Sequence, residues 1–112
     1  MDEIILLPED HPMPSVALLV ELKAKLGKEE EVAAFLERAG AVAAAEVGTL
    51  TWFAVRFDRT TFAIFDTFSD KGARHAHLGG QIAEALIASA ADLLATPPEI
   101  RAADVLAAKL PG

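Results

Sequence analysis

TLTWFAVRFDRTTFAIFDTF, residues 49–68, contains two runs rich in aromatic and β-branched residues with a short polar segment between them. Such runs favour β-strands, and two of them around a polar turn are typical of a β-hairpin. Successive side chains of a strand point to opposite faces of its sheet. The stretch therefore predicts two antiparallel strands joined by a tight turn near Asp58 and Arg59.

The segments on either side of this hairpin complete the order β-α-β-β-α-β. Before it, residues 15–25 alternate like a strand, and a helix begins at residues 28–32, where three glutamates lie favourably near the positive end of its dipole. After it, a helical region from residues 69 to 95 is interrupted at Gly79 and Gly80. DVLAAKL, residues 104–110, predicts the last strand. This order indicates a single α+β domain.

Length and composition limit the classes of function. The 112 residues fit one domain, which we expect to span residues 15–110 after a proline-containing leader, residues 1–14. The net charge of −7, with no cluster of Lys and Arg, disfavours nucleic acid as a partner because phosphates would be repelled. The chain has no cysteine, which excludes disulfides, thiol catalysis and cysteine-bound metal.

The leader does not have the pattern of a secretory signal. Its first residues are acidic where a signal peptide needs basic ones, and its apolar run at residues 4–7 is short. Elsewhere no run approaches the roughly 20 apolar residues of a membrane span. We therefore expect a cytoplasmic protein that does not bind membranes.

The alternation within the hairpin predicts a homodimer. Two helices can cover one face of a four-stranded sheet, and the second face is also apolar, so it requires a cover from another chain. Exposed apolar surface costs about 25 cal/mol per Å². The alternative is that residues 4–7 fold over this face. With a tight turn, one face carries Phe53, Val55, Phe57, Phe62, Ile64 and Phe68, and the other carries Ala17, Leu19, Leu50, Trp52, Ala54, Ala63, Phe65 and Thr67.

Several local motifs accompany this order of elements. Gly27 precedes the first helix, and Glu46 begins a Glu-x-Gly-Thr turn that leads into the second strand. Asp66 stands two residues before Phe68 near the end of the third strand, and His77 follows in the second helical region. With these motifs, roughly residues 15–110 resemble the antibiotic-biosynthesis-monooxygenase family of dimeric α+β barrels.

The resemblance implies a fold and a range of reactions. It implies a ferredoxin-like subunit with a four-stranded antiparallel sheet, which forms a homodimer. From the strand alternation, the interface would include Leu19, Leu50, Trp52 and Phe65. Each subunit would carry a pocket between its second helix and the sheet. Family members oxidise aromatic polyketides or quinols with O₂ and without a metal, flavin or haem cofactor, and others degrade haem. Because the family is chemically mixed, the resemblance does not choose among these reactions.

A cofactor-free oxygenase needs a base, because a phenol or quinol must lose a proton before it passes an electron to O₂. Imidazole suits this role near neutral pH, so we expect His77 to be the base. Asp66 would orient the imidazole, and Arg74 would supply positive charge to an enolate or superoxide. Phe53, Ile64 and Phe68 would form the pocket wall. The three dispersed histidines predict no metal site.

Other interpretations of the same residues stay open. His75 is a rival to His77, Asp66 could simply accept hydrogen bonds from Thr51 or the backbone, and Arg74 could be a solvated helix residue. The chain has no Tyr and no Asn, and it has Val20 and Phe68 where haem-degrading relatives have Asn and Trp, so haem degradation is disfavoured. Quinol-type oxygenation remains, with a non-catalytic ligand-binding dimer, or a purely structural dimer with a filled pocket, as alternatives.

Overall fold

The computed structural model describes residues 13–111 of the chain, so the prediction that residues 4–7 cover the sheet lies outside the described residues. The ferredoxin-like fold is confirmed. The second helical region consists of two helices, because Gly79 ends one of them and Gly80 caps the next. The elements are β1 (Val16–Lys23), α1 (Glu29–Ala44), β2 (Thr49–Arg56), β3 (Thr61–Phe68), α2 (Lys71–Leu78), α3 (Gln81–Leu93) and β4 (Glu99–Asp104).

The four strands form one antiparallel sheet in the order β2-β3-β1-β4. β1 lies inside the sheet and pairs with β3 on one side and with β4 on the other. Its alternate residues Val16, Leu18, Val20 and Leu22 are buried, as expected for the face that the helices cover. These residues define what we call the covered face, and the opposite side of the sheet is the open face.

The predicted faces of β2 are wrong, because the hairpin loop contains three residues rather than two. Arg56 pairs with Phe62, and the Phe57 amide donates to the carbonyl of Thr61 at 2.9 Å, which leaves Asp58, Arg59 and Thr60 as the loop. A shift of one residue in register moves every side chain of a strand to the other face.

The corrected register exchanges the two aromatic residues at the centre of β2. Trp52 lies opposite Asp66 on the covered face, whereas Phe53 lies opposite Phe65 on the open face. The predictions of Phe53 in the pocket wall and Trp52 in the dimer interface are therefore both wrong. Leu50 stands at a β-bulge between Thr49 and Thr51 and is partly buried.

The last strand also differs from its prediction, since β4 ends at Asp104 and residues 105–111 form no strand. Asp104 pairs with Val16, the first residue of β1. The Val105 amide makes one further bond, to the carbonyl of Ser15 at 2.9 Å. Because β1 begins here, the sheet offers no partner strand to the residues that follow.

The core fills the space between the covered face and the helices. Trp52 packs against α1, where a Cβ added to Gly40 would lie 3.4 Å from the edge of the indole ring. Phe68 is fully buried beneath α2 and packs with Val16 and Leu18. The largest cluster of buried side chains comprises Val20, Leu22, Ala24, Val32, Leu36, Phe62, Ile64, Leu86 and Leu94.

The open face exposes large apolar side chains. Phe53 is 57% exposed, and Val55 and Phe65 are exposed beside it, while Leu19 of β1 is partly buried. The prediction that Leu19 and Phe65 share a face is confirmed by the pairing of β1 with β3. Within residues 13–111, no helix has the length and apolar character needed to span a membrane.

Candidate functional site

α2 is fixed at its first turn and carries His77 in its last turn. The Asp70 side chain caps the helix by accepting a hydrogen bond from the Ala73 amide at 2.8 Å. The turn before β2 packs closely on the same helix, because a Cβ on Gly48 would lie 3.1 Å from the Cβ of Ala73. This close approach brings Glu46, which precedes the turn, next to His77.

The imidazole of His77 lies between two carboxylates. Its Nε2 is 2.9 Å from Asp66 Oδ2, and its Nδ1 is 2.6 Å from Glu46 Oε1. The His77 side chain is 8% exposed, and its ring packs on Phe68 with 5.3 Å between the ring centroids. The three charged side chains come from α2, β3 and the segment between α1 and β2, so the fold assembles them from distant parts of the chain.

This geometry favours the protonated form of His77. An ionised carboxylate only accepts hydrogen bonds, so two of them require a proton on each ring nitrogen, which makes the ring an imidazolium. The hydrogen bond to Asp66 raises the pKa of His77 above its usual value, burial opposes this, and the bond to Glu46 adds to the increase.

Glu46 connects the buried unit to solvent. Its carboxylate accepts a hydrogen bond from Thr49 Oγ1 at 2.7 Å, and its side chain is 24% exposed, compared with 1% for Asp66. Sequence reasoning missed Glu46 as a site residue, although its Glu-x-Gly-Thr motif was a usable signal. A solvent-connected cavity of about 260 Å³ is lined by Glu46, Val47, Gly48, Thr49, Ala73, Ala76 and His77.

Asp66 is held on the covered face by its place in β3. Its Oδ2 contacts His77, and its Oδ1 is buried with no hydrogen-bond partner among residues 13–111. The interpretation that Thr51 donates to Asp66 is wrong, because Thr51 Oγ1 and Thr67 Oγ1 are hydrogen-bonded to each other at 2.7 Å.

The other polar residues of α2 lie apart from this unit. Arg74 Nη1 donates to the carbonyl of Ala17 at 3.4 Å and to that of Ala103 at 3.3 Å, which ties the helix to β1 and β4. Arg74 is therefore a partly buried anchor rather than a solvated residue, and its role toward a reaction intermediate stays a prediction. His75 is exposed, so the histidine that faces the interior is His77.

The predicted aromatic wall does not line the cavity beside His77. Ile64 and Phe68 lie on the covered face, as expected, but both belong to closed clusters of buried side chains. A separate cavity of about 380 Å³ lies between α1 and β2, with Trp52 and Phe62 among its lining residues. Within the described part of the chain, no group of three His, Asp or Glu side chains is arranged to hold a metal ion.

Comparisons with known proteins agree with this fold. A crystal structure of a protein of unknown function from Nitrosomonas europaea is 52% identical, covers 89% of this chain and 97% of its own, and superposes with a TM-score of 0.86. A proposed antibiotic biosynthesis monooxygenase from the same organism is 17% identical, with a TM-score of 0.75 over 82% of this chain and 99% of its own.

A second proposed antibiotic biosynthesis monooxygenase, from Chloroflexus aurantiacus, is 18% identical, with a TM-score of 0.69 over 88% of this chain and 99% of its own. No family model and no curated protein matches the chain. At these identities the two monooxygenase-like structures establish the fold, while the 52% identical structure establishes kinship. The chain therefore belongs to the family of the Nitrosomonas europaea protein of unknown function, and it shares its fold with the two proteins named as proposed antibiotic biosynthesis monooxygenases.

Proposed function

We propose that the protein is a cofactor-independent monooxygenase that oxidises a quinol or another small aromatic substrate with O₂. The observation that carries the proposal is the buried unit of Asp66, His77 and Glu46 at the wall of a cavity of about 260 Å³. Titratable groups with perturbed pKa values beside a cavity are typical of catalytic sites. The names of two structurally similar proteins support the same reaction class.

The proposed reaction begins with loss of the substrate's hydroxyl proton. The resulting phenolate passes one electron to O₂, which gives a phenoxyl radical and superoxide, and these combine through a new carbon–oxygen bond. The peroxide anion so formed takes up a proton to give a hydroperoxide. This hydroperoxide loses water as its O–O bond and the C–H bond at the same ring carbon break, and a quinone remains. The protein must therefore accept a proton, stabilise negative charge near the cavity and return a proton later.

Glu46 and His77 divide these tasks in our proposal. The sequence-based expectation made His77 the base, but both of its ring nitrogens already donate to carboxylates. Glu46 lines the cavity and is partly exposed, so we assign proton acceptance to its carboxylate. The His77 imidazolium beside it would stabilise the phenolate and superoxide, and Asp66 would keep the ring protonated and oriented.

The proposal includes the assembly and location predicted from the sequence. The enzyme would be a cytoplasmic homodimer in which two open faces pack together, with Leu19 and Phe65 in the interface. Exposed Phe53 and Val55 lie on the same face and support this arrangement. The cavity beside His77 lies on the helix side of the sheet, so each subunit would keep its own site.

Oxygen consumption with menadiol, corrected for autoxidation, tests the proposed activity. We expect His77→Gln and Glu46→Gln each to lower the rate at least about 100-fold, the lower limit of what general acid–base or electrostatic catalysis typically contributes. His75→Gln is the matched control, because it changes an exposed histidine of the same helix. Unchanged rates in folded His77→Gln and Glu46→Gln proteins would exclude this site.

One observation favours a second function, a dimer that binds a small ligand without turnover. His77 has no free ring nitrogen, and a charged unit fixed by hydrogen bonds can serve to hold a polar group of a ligand. Isothermal titration calorimetry distinguishes this second function from catalysis. The titrant is menadione, which carries carbonyl groups in place of the hydroxyl groups of menadiol. Binding that requires His77, in a protein that consumes no oxygen with any quinol, would support this second function.

A further inference from the structure

Two complementary polar atoms on the covered face have no partner in the unit of Asp66, His77 and Glu46. Trp52 Nε1 is a donor and Asp66 Oδ1 is an acceptor, and both are buried without a hydrogen-bond partner among residues 13–111. The two residues are direct cross-strand partners in the pairing of β2 with β3. Side chains opposite each other in an antiparallel pair have Cβ atoms about 5 Å apart, so Trp52 and Asp66 are direct neighbours on the covered face.

The packing of the indole ring against α1 limits the direction in which its N–H group can point. The edge that carries Cζ3 and Cε3 faces Gly40 of α1. In tryptophan, Nε1 lies on the opposite edge of the ring system, so the N–H points away from this glycine. A buried donor and a buried carboxylate oxygen each lose their hydration on folding, and the fold keeps such groups only where another partner satisfies them.

We propose that Trp52 Nε1 and Asp66 Oδ1 together bind one buried water molecule, and that Trp52 is thereby a positioning residue for Asp66. Water suits both atoms, because it accepts from the indole N–H and donates to the carboxylate at the same time. Both atoms are closed to solvent, which excludes the hydroxyl group of a larger ligand as the occupant.

The water gives each oxygen of Asp66 a distinct partner. Oδ2 accepts from His77, and Oδ1 accepts from the water that Trp52 holds. The carboxylate is then fixed in the orientation that the His77 ring requires, and it does not meet a substrate. Asp66 and Trp52 act through His77, so the inference concerns the geometry of the proposed active site and holds or fails independently of turnover.

The single tryptophan of the chain makes this proposal directly measurable. In ¹⁵N-labelled protein, the only indole N–H cross-peak is that of Trp52. We expect this proton to show a nuclear Overhauser cross-peak at the water frequency, and the rotating-frame experiment distinguishes bound water from chemical exchange by sign. Absence of a bound-water contact in the folded protein would overturn the proposal.

A pair of variants tests the link from Trp52 to Asp66. Asp66→Asn should move the indole N–H resonance upfield, because an amide oxygen is a weaker acceptor than a carboxylate. Asp92→Asn, on the exposed side of α3, is the matched control and should leave the resonance in place. An indole N–H resonance that does not move in Asp66→Asn would refute the link between Trp52 and Asp66.

A third variant covers the case in which Asp66→Asn does not fold. Trp52→Phe keeps an aromatic ring and removes the donor, and we expect it to shift the ring resonances of His77 through Asp66. Unchanged His77 resonances would contradict the positioning role. If menadiol oxidation fails while the water contact and these shifts are found, the proposed function is wrong and this inference stands.

Discussion

His77 is a buried side chain whose positive charge is balanced by two neighbouring carboxylates. The ring would lose much of its hydration at 8% exposure, and a lone imidazolium in this position would deprotonate. Carboxylates at 2.9 Å and 2.6 Å replace that hydration with two charge-assisted hydrogen bonds. Removal of the ring would leave Asp66 and Glu46 as neighbouring negative charges, so the histidine stabilises both carboxylates as much as they stabilise it.

The raised pKa of His77 makes stability depend on pH. The hydrogen bond to Asp66 is the main cause of the increase, and the unfolded chain should titrate near the ordinary value of about 6.5. Because the folded form binds the proton more tightly, the stabilisation is complete below about pH 6.5. It is lost as the pH rises from there through the raised pKa of the folded protein.

Urea denaturation across this pH range measures the effect. We expect the free energy of unfolding of the unmodified protein to fall as the pH rises above about 6.5, and His77→Gln to remove most of that slope. His75→Gln should retain the slope, since His75 is exposed. A slope that survives in His77→Gln would mean that another group is responsible.

At the scale of elements, the loop between β2 and β3 determines which side chains reach the site. Its three residues put Trp52 on the covered face and Phe53 on the open face. The sequence does not determine this choice, because both faces of β2 are apolar and either register buries an aromatic residue. The first three strands, the helical segments and the order of elements could be predicted from periodicity, but the register depended on the length of the loop.

Within this loop, Asp58 accepts hydrogen bonds from the backbone amides of Thr60 and Thr61, both at 3.0 Å. These bonds give two amides of the three-residue loop an acceptor, and a two-residue turn would place those amides differently. We expect Asp58→Ala to lower the free energy of unfolding, and Asp58→Asn to lower it less because an amide oxygen still accepts. Thermal unfolding of the two variants side by side measures the difference, and equal stabilities would contradict this account of the loop.

Only part of the candidate site could be predicted from the sequence, because contacts between elements determine the rest. His77 and Asp66 stand in recognisable motifs, and the structure brings their side chains together. Glu46 lies 31 residues from His77, in a connection between elements. Its position depends on the contact between Gly48 and Ala73, which no periodicity in the sequence reveals. Such contacts depend on how the elements pack together, and knowing which segments are helices or strands does not predict them.

For the whole molecule, the decisive feature is a sheet covered by helices on one side only. The sequence is 53% hydrophobic, and the open face holds exposed Phe53, Val55 and Phe65 in neighbouring positions of β2 and β3. Contiguous exposed apolar surface on a single subunit is typical of a protein–protein interface. A second copy can bring the same apolar face, so two copies could cover each other by two-fold symmetry.

Sedimentation velocity tests this proposed assembly over a range of protein concentrations. We expect the unmodified protein to sediment as a dimer and Phe53→Asp to shift it toward the monomer, because a buried charge without a partner is costly. Ile87→Asp is the matched control: Ile87 is also an exposed apolar side chain, 68% accessible, but it lies on α3, far from the open face. If Phe53→Asp remains dimeric, or if Ile87→Asp dissociates equally, the two subunits do not meet through the open face, and another surface must cover it.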